Sequence, residues 1–237
     1  MTPTDRRAVL RKLDGVTGDI PFTHTRACHL LFDLVSEFSR PQVVEVSCCY
    51  GKATVYLAAA AKLNAGFVRA VDEGTYTWGG RNVEELLREF ELSDSCEVVL
   101  NQDARWYLLD LFLARPGCWI DVAYLDASHT VEVDAFLALA LWTHLRPGGI
   151  IVFDDLEWVP AVNGQPDQVF SRPTTSHVGV LYDYVRSLPD VDGALEWGKS
   201  EVAWTYGMVR KRESGEHSGV AITDLFATVA AKSIEAP

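Results

Sequence analysis

The sequence predicts an α/β fold, a mostly parallel sheet with helices on both faces that ends in an antiparallel hairpin. Three observations carry this. From residue 42 onward, short apolar runs alternate with helical stretches. The runs are continuous rather than alternating, as in strands buried on both faces. Near residue 200 two strand-like runs lie close enough together to pair as a hairpin. The expected strands are Val43–Ser47, Phe67–Val71, Glu97–Leu100, Ile120–Leu125 and Ile150–Asp154, with the hairpin around 194–198 and 201–210. Helices are expected near 53–63, 80–91, 104–114, 131–145 and 177–187. Alternation at this spacing builds a parallel sheet.

The flanks divide the chain further. Residues 1–40 read as a helical cap. A short charged helix over 4–13 precedes one over 24–38, which places Ala27, Leu30, Leu31, Leu34, Val35 and Phe38 on one face until Pro41 ends it. Residues 41–212 form the main domain. Within it, 156–176 contains Pro160, Gly164, Pro166 and Pro173 with little periodicity and reads as a mobile lid. The tail, 213–237, starts polar and then sets Ile222, Leu225, Phe226 and Val229 at helical spacing. It could dock on the domain, pack on a second subunit or stay partly disordered. A homo-oligomer would form through the N-terminal helices or this tail.

Charge and cysteine usage narrow the function. The net charge is -12, from 21 Lys and Arg against 33 Asp and Glu. Nucleic-acid backbones and anionic membrane surfaces would want the opposite sign. Cys28, Cys48, Cys49, Cys96 and Cys118 show no zinc spacing, and adjacent Cys48 and Cys49 do not suit a structural disulfide, which points to a reducing, cytoplasmic setting. No signal peptide or membrane span is expected.

In open parallel sheets ligands bind beyond the carboxyl ends of the strands. Those ends are acidic here. Glu45 lies in the first strand, Asp72 and Glu73 follow the second, Asp103 the third, Asp126 the fourth, and Asp154 and Asp155 the fifth. Asp126, Asp154 and Asp155 should converge if strands four and five are neighbours. Three carboxylates repel unless protons or a cation intervene, and all-oxygen ligands suit Mg²⁺ or Ca²⁺. The other reading has Asp154 or Asp155 ordering the lid while Asp126 faces substrate alone. His129 could be a general base or a helix-start residue holding its loop, and His177 is a weaker base candidate. Asp72 and Asp103 could equally cap the helices after them. Trp78, Trp158, Phe170 and Tyr182 read as pocket or packing aromatics, and Trp106, Trp119 and Trp142 as core or helix packing. Gly51-Lys52-Ala53-Thr54 lacks the other residues of a phosphate loop, and no dinucleotide glycine motif occurs.

The segments VVEVSCCYGKATVYLA, VRAVDEG, CEVVLNQDA and IDVAYLDASH…LRPGGIIVFDD resemble, in order, the motifs of class I S-adenosylmethionine-dependent methyltransferases. The resemblance covers roughly residues 24–211. The stretch Asp121–Asp155 is most similar to the branch of small-molecule O-methyltransferases of natural-product pathways, such as the macrolide-sugar enzymes. It implies a Rossmann-like, seven-stranded methyltransferase sheet. It also implies an S-adenosylmethionine site on Glu45, Ser47, Tyr50, Gly51, Thr54, Asp72, Glu73, Asp103, Ala104 and Asp126. Ser47 stands where the family carries its first loop glycine. Glu45 would meet the methionine amino group, Asp72 the ribose and Asp103 the adenine. Asp126 and His129 would be catalytic, and Asp126, Asp154 and Asp155 would hold a magnesium ion that orients a hydroxyl of a small-molecule acceptor. The alternative is a non-catalytic, cofactor-binding partner or scaffold of the same fold.

Overall fold

The computed structural model describes residues 3–163, 172–198 and 205–213. They fall into two compact units, one up to Gln102 and one from Asp103. The tail beyond 213, Phe170, Gly164, Pro166 and the first residues of the 201–210 strand lie outside the described residues.

In the first unit, α1 (Pro3–Thr17) and α2 (Thr25–Ser36) precede a parallel sheet. The sequence pattern places α1 too short, since its helical turns run on to Thr17. α2 is buried on every side from Ala27 to Val35, not only on its apolar stripe. That burial engulfs Asp33, a carboxylate that must be paired to stay charged. Arg6 supplies the pair as a fork, with Nε donating to Oδ1 at 2.6 Å and a terminal nitrogen to Oδ2 at 2.5 Å. The strands β1 (Gln42–Val46), β2 (Phe67–Val71) and β3 (Cys96–Val99) run parallel in the order β3-β2-β1. Between β1 and β2 lies α3 (Lys52–Leu63). Its run of alanines lets the helix sit close against α2 with every residue from Lys52 to Ala61 buried. Between β2 and β3, α4 (Val83–Glu89) starts at a reciprocal cap in which the Asn82 side chain accepts from the Glu85 N–H and Glu85 accepts from that of Asn82.

The second unit runs α5 (Ala104–Ala114), β4 (Ile120–Leu125), α6 (Val131–His144), β5 (Leu145–Phe153), α7 (His177–Arg186), β6 (Val191–Trp197) and β7 (Tyr206–Lys211). Its strand order is β4-β5-β7-β6. β4 and β5 are parallel, and β7 joins antiparallel to both β5 and β6. β4 is buried along its whole length. β5 begins five residues before the expected start. Arg146-Pro147-Gly148-Gly149 reads as a turn, but the chain absorbs it as an irregularity, pairing Ile120 with Leu145 and then Val122 with Ile150. Lys211 Nζ donates to the carbonyls of Trp142 at 3.0 Å and Leu145 at 3.1 Å, closing the end of α6. Trp142 is buried as expected, whereas Trp106 is 64% exposed on α5, which corrects its assignment to packing. No helix among the described residues is long and apolar enough to cross a membrane.

The Arg6–Asp33 pair gives a stability test. Asp33→Asn strands a buried guanidinium and should cost about 3–5 kcal/mol in urea unfolding. The double substitution Arg6→Met with Asp33→Leu, which removes both charges, should recover most of that loss.

Candidate functional site

In the first unit the sequence places a sharp loop, Ser47–Gly51, between β1 and α3. Three of its residues take the left-handed conformation, Ser47 at φ 66°, Cys49 at 46° and Gly51 at 82°. Gly51 is required twice over, because a Cβ there would also meet the Cβ of Val83 at 2.7 Å. Ser47 N–H extends the ladder by donating to Val71 O at 2.8 Å. What holds the loop is Asp72, one residue past β2. Its carboxylate, 3% exposed, accepts from Cys49 N–H at 2.7 Å and from Gly74 N–H at 3.0 Å. The capping expectation for Asp72 is therefore replaced by a clasp between two loops. Gly51, as the N-cap of α3, offers that helix no side-chain cap.

Around this clasp, Glu45 is fully buried in β1 and Thr54 fully buried in the first turn of α3. The Thr54 hydroxyl has no hydrogen-bond partner among the described residues. Lys52 is buried too and donates from Nζ to Ile20 O at 2.9 Å. Glu73 is exposed, and the half-buried Tyr50 packs against the rings of Phe22, Tyr76 and Trp78. Burial, reinforced by the charges of Glu45 and Asp72, pushes the Cys48 thiol up, so it remains a thiol.

The second unit opens with Asp103 and half-buried Ala104. Asp103 is the N-cap of α5, accepting from Arg105 N–H at 2.8 Å, and it also holds the Arg105 guanidinium. That pairing keeps its carboxyl below the usual range.

The ends of β4 and β5 carry the other constellation. His129 Nε2 lies 3.4 Å from Asp126 Oδ1 and 3.2 Å from Asp155 Oδ2. The Trp158 ring stacks on the imidazole at a centroid distance of 5.1 Å. His129 and Asp155 both sit at positive φ, 59° and 54°, a strained backbone on both sides of one ion pair. Burial alone would lower the His129 pKa, but the close carboxylates of Asp126 and Asp155 outweigh it and raise it to about 10. At neutral pH the ring is an imidazolium. An imidazolium has no free lone pair to take a proton, which counts against His129 as the base.

Asp154 is different. It is buried, its Oδ2 accepts from Tyr124 OH at 2.5 Å and its Oδ1 from Asp155 N–H at 2.8 Å. Burial and the charges of Asp126 and Asp155 push its carboxyl well above the usual range. The expected metal triad is therefore not formed. Asp154 turns inward onto Tyr124, and the His129 ring stands between the other two. No group of three or more such ligands among the described residues could hold a metal.

The loop itself is fixed from behind. Ser128 N–H donates to Asp134 Oδ1 at 3.1 Å, and the Ser128 and Thr130 hydroxyls lie 2.8 Å apart. Burial, with the Asp126 charge, moves Asp134 up to about 6, against the opposing pull of His129 and the Ser128 hydrogen bonds. His177 Nδ1 accepts from Val131 N–H at 3.0 Å, and Nε2 donates to Arg172 O at 3.1 Å. Both ring nitrogens are engaged, so His177 positions the loop rather than serving as a base. Ser176 Oγ donates to Leu156 O at 2.6 Å and Ala161 N–H to Pro173 O at 2.8 Å, so the described ends of the 156–176 segment are pinned together. Tyr182 is core, packed edge-on against Phe153. Trp158, expected as a pocket or packing aromatic, stacks on His129, whereas Tyr124 and Asp134 carry no sequence signal of their own. Tyr124 lies inside a strand, and only its alternation toward the Asp154 end could have signalled it.

Residues 44–156 match the family described as a methyltransferase domain. No curated protein sequence matches the chain. Solved structures do. Cofactor-bound Rv0187 from MTB is 18% identical, with 89% of this chain and 91% of that one covered at a TM-score of 0.58. The O-methyltransferase TomG from Streptomyces achromogenes, involved in tomaymycin synthesis and solved with SAM, is 15% identical over 88% and 90%, TM-score 0.57. An O-methyltransferase from Bacillus cereus in complex with SAH is 18% identical over 87% and 91%, TM-score 0.58. At these identities the likeness establishes the fold.

Two outcomes follow from the geometry. Ser47→Gly removes a left-handed penalty and should stabilise the protein by about 1 kcal/mol in urea unfolding. His129→Gln should destabilise it at pH 7, with the difference from wild type shrinking toward pH 10. The folded pKa is raised, so the ion pair's contribution is full below the unfolded value of 6.5 and is lost as pH rises through about 10.

Proposed function

From the methyltransferase domain that residues 44–156 carry, we propose that this chain transfers a methyl group from S-adenosylmethionine to a hydroxyl of a small molecule in a natural-product pathway. The observation that carries the reading is the buried Asp72 carboxylate at the end of β2. It clasps the sharp β1–α3 loop in the arrangement that a nucleoside-bearing cofactor needs beyond strand ends. The O-methyltransferases that share the fold, TomG among them, support the acceptor class.

In this reading Glu45, Ser47, Tyr50, Gly51 and Thr54 serve the methionine part of the cofactor and Asp72 and Glu73 the ribose; Asp103, Ala104 and Asp126 are assigned to the cofactor by the family resemblance alone. Bound S-adenosylmethionine supplies an electrophilic methyl on sulfur. The chain supplies alignment and a proton acceptor. Asp126 accepts the hydroxyl proton. The His129 ring, lying between Asp126 and Asp155, fixes Asp126 in place. Asp154 braces the loop by accepting the Asp155 backbone N–H.

The second reading, a cofactor-binding partner without turnover, is favoured by Ser47, which puts a side chain where the family carries glycine. It predicts cofactor binding with no methyl release to any acceptor.

The test is transfer of labelled methyl from S-adenosylmethionine to a panel of hydroxylated small molecules. Asp126→Asn should lower the rate at least about 100-fold. EDTA should leave the wild-type rate unchanged. A rate lost to EDTA and restored by Mg²⁺ would overturn the metal-free form of the proposal, and full activity in Asp126→Asn would remove the proton acceptor.

A further inference from the structure

Four aromatic rings meet in the open beside the Asp72 clasp, and the folding of the chain goes to some lengths to hold them there. Tyr50, in the β1–α3 loop, is the centre. Phe22 stacks on it with planes 7° apart at 5.7 Å, Tyr76 meets it edge-on at 6.1 Å, and Trp78 leans on it at 5.7 Å. Such pairs normally bury their faces. Here Phe22 is 72% exposed, Tyr76 41% and Trp78 37%.

Each ring is presented by its own local device. Phe22 sits at φ 75°, an outlier for a bulky residue that only a constrained surrounding sustains. Tyr76 lies across Gly74 so closely that a Cβ there would fall 2.7 Å from the ring. Trp78 opens a two-residue turn through Gly79 and Gly80, both at positive φ, closed by reciprocal hydrogen bonds with Arg81 at 2.8 and 3.1 Å. This is the mirror-image hairpin turn, which strongly favours such glycines. Arg81 in turn is tied to Glu89 at 3.0 Å. The negatively charged groups beside the rings are Asp72 and Glu73, whose charges together with burial push the Tyr76 phenol up and keep it neutral.

We propose that Phe22, Tyr50, Tyr76 and Trp78 form a ring-binding subsite, one that takes a planar, uncharged aromatic or heteroaromatic ring by stacking and disfavours anionic ones. The rings come from the loops at the carboxyl ends of β1 and β2 and from the α1–α2 linker, where a parallel sheet receives ligands. Two ligands share this chemistry, the adenine of the cofactor and the ring of an aromatic acceptor. The assignment of either to this subsite rests on the methyltransferase reading, whereas the subsite itself does not.

Calorimetry on the full chain separates these. The probes are S-adenosylhomocysteine, catechol with and without it, and the non-aromatic cyclohexane-1,2-diol. Phe22→Leu and Trp78→Leu should each weaken a ring probe by about 3- to 10-fold. Tyr76→Leu should do the same and Tyr76→Phe should not, a contrast that a folding defect would not reproduce. Weakening confined to catechol identifies an acceptor subsite. Weakening confined to S-adenosylhomocysteine identifies an adenine subsite. Catechol binding in a wild type that does not bind S-adenosylhomocysteine would sink the methyltransferase reading and leave the subsite standing. Variants that bind every probe as wild type does, cyclohexane-1,2-diol binding as well as catechol, or no probe binding at all would overturn the subsite.

Discussion

The buried carboxylate of Asp72 is the constraint on which the first unit's functional end depends. Parallel strands deliver their loops to one edge, but nothing in a strand fixes the loop that follows it. Here one side chain accepts a backbone N–H from each of two successive loops, at Cys49 and at Gly74. Charge-assisted bonds of this kind are stronger than neutral ones, and burial keeps water from competing for them. The bond to Cys49 sustains a loop with three left-handed residues, two of them not glycine. The bond to Gly74 sets the turn on which Tyr76 rests. Removing the carboxylate would release both.

The second unit solves the same problem with opposite charge. The loops after β4 and β5 end in carboxylates that would repel, and the half-buried His129 ring lies between Asp126 and Asp155. Asp154 turns away from them and accepts from Tyr124 OH, its carboxyl pushed up by burial and by the charges of Asp126 and Asp155. Strained backbone at His129 and Asp155 is the conformational cost of this arrangement, and Ser128, Asp134 and His177 hold the loop against it. The two devices leave different groups available. Asp126 is half-buried beside His129, while Asp72 is buried, with lone pairs beyond those that Cys49 and Gly74 use.

Much of this fold is legible because parallel strands buried on both faces write themselves as apolar runs. Phe67–Val71, Ile120–Leu125 and the helix Ala104–Ala114 have the limits that the residues suggest. β5 does not, because Pro147, Gly148 and Gly149 signal a turn where the register shift against β4 absorbs them. The candidate residues were legible by kind rather than by state. Acids at strand ends mark the site, yet whether Asp103 caps a helix, whether Asp154 is ionised, or whether His129 is a base depends on partners that folding supplies. A triad of carboxylates in sequence suggests a metal, and the His129 ring that stands between two of them could be placed only by the meeting of two loops. Phe22 carried no signal at all, since its role depends on a single φ angle in a linker.

The most direct test is calorimetric titration of S-adenosylmethionine into wild type and Asp72→Ala. The account predicts saturable one-to-one binding to wild type and an affinity lower by at least about tenfold in the variant, consistent with losing charged hydrogen bonds worth about 1.5–3 kcal/mol each. Wild type that does not bind, or a variant that binds equally well, would contradict it.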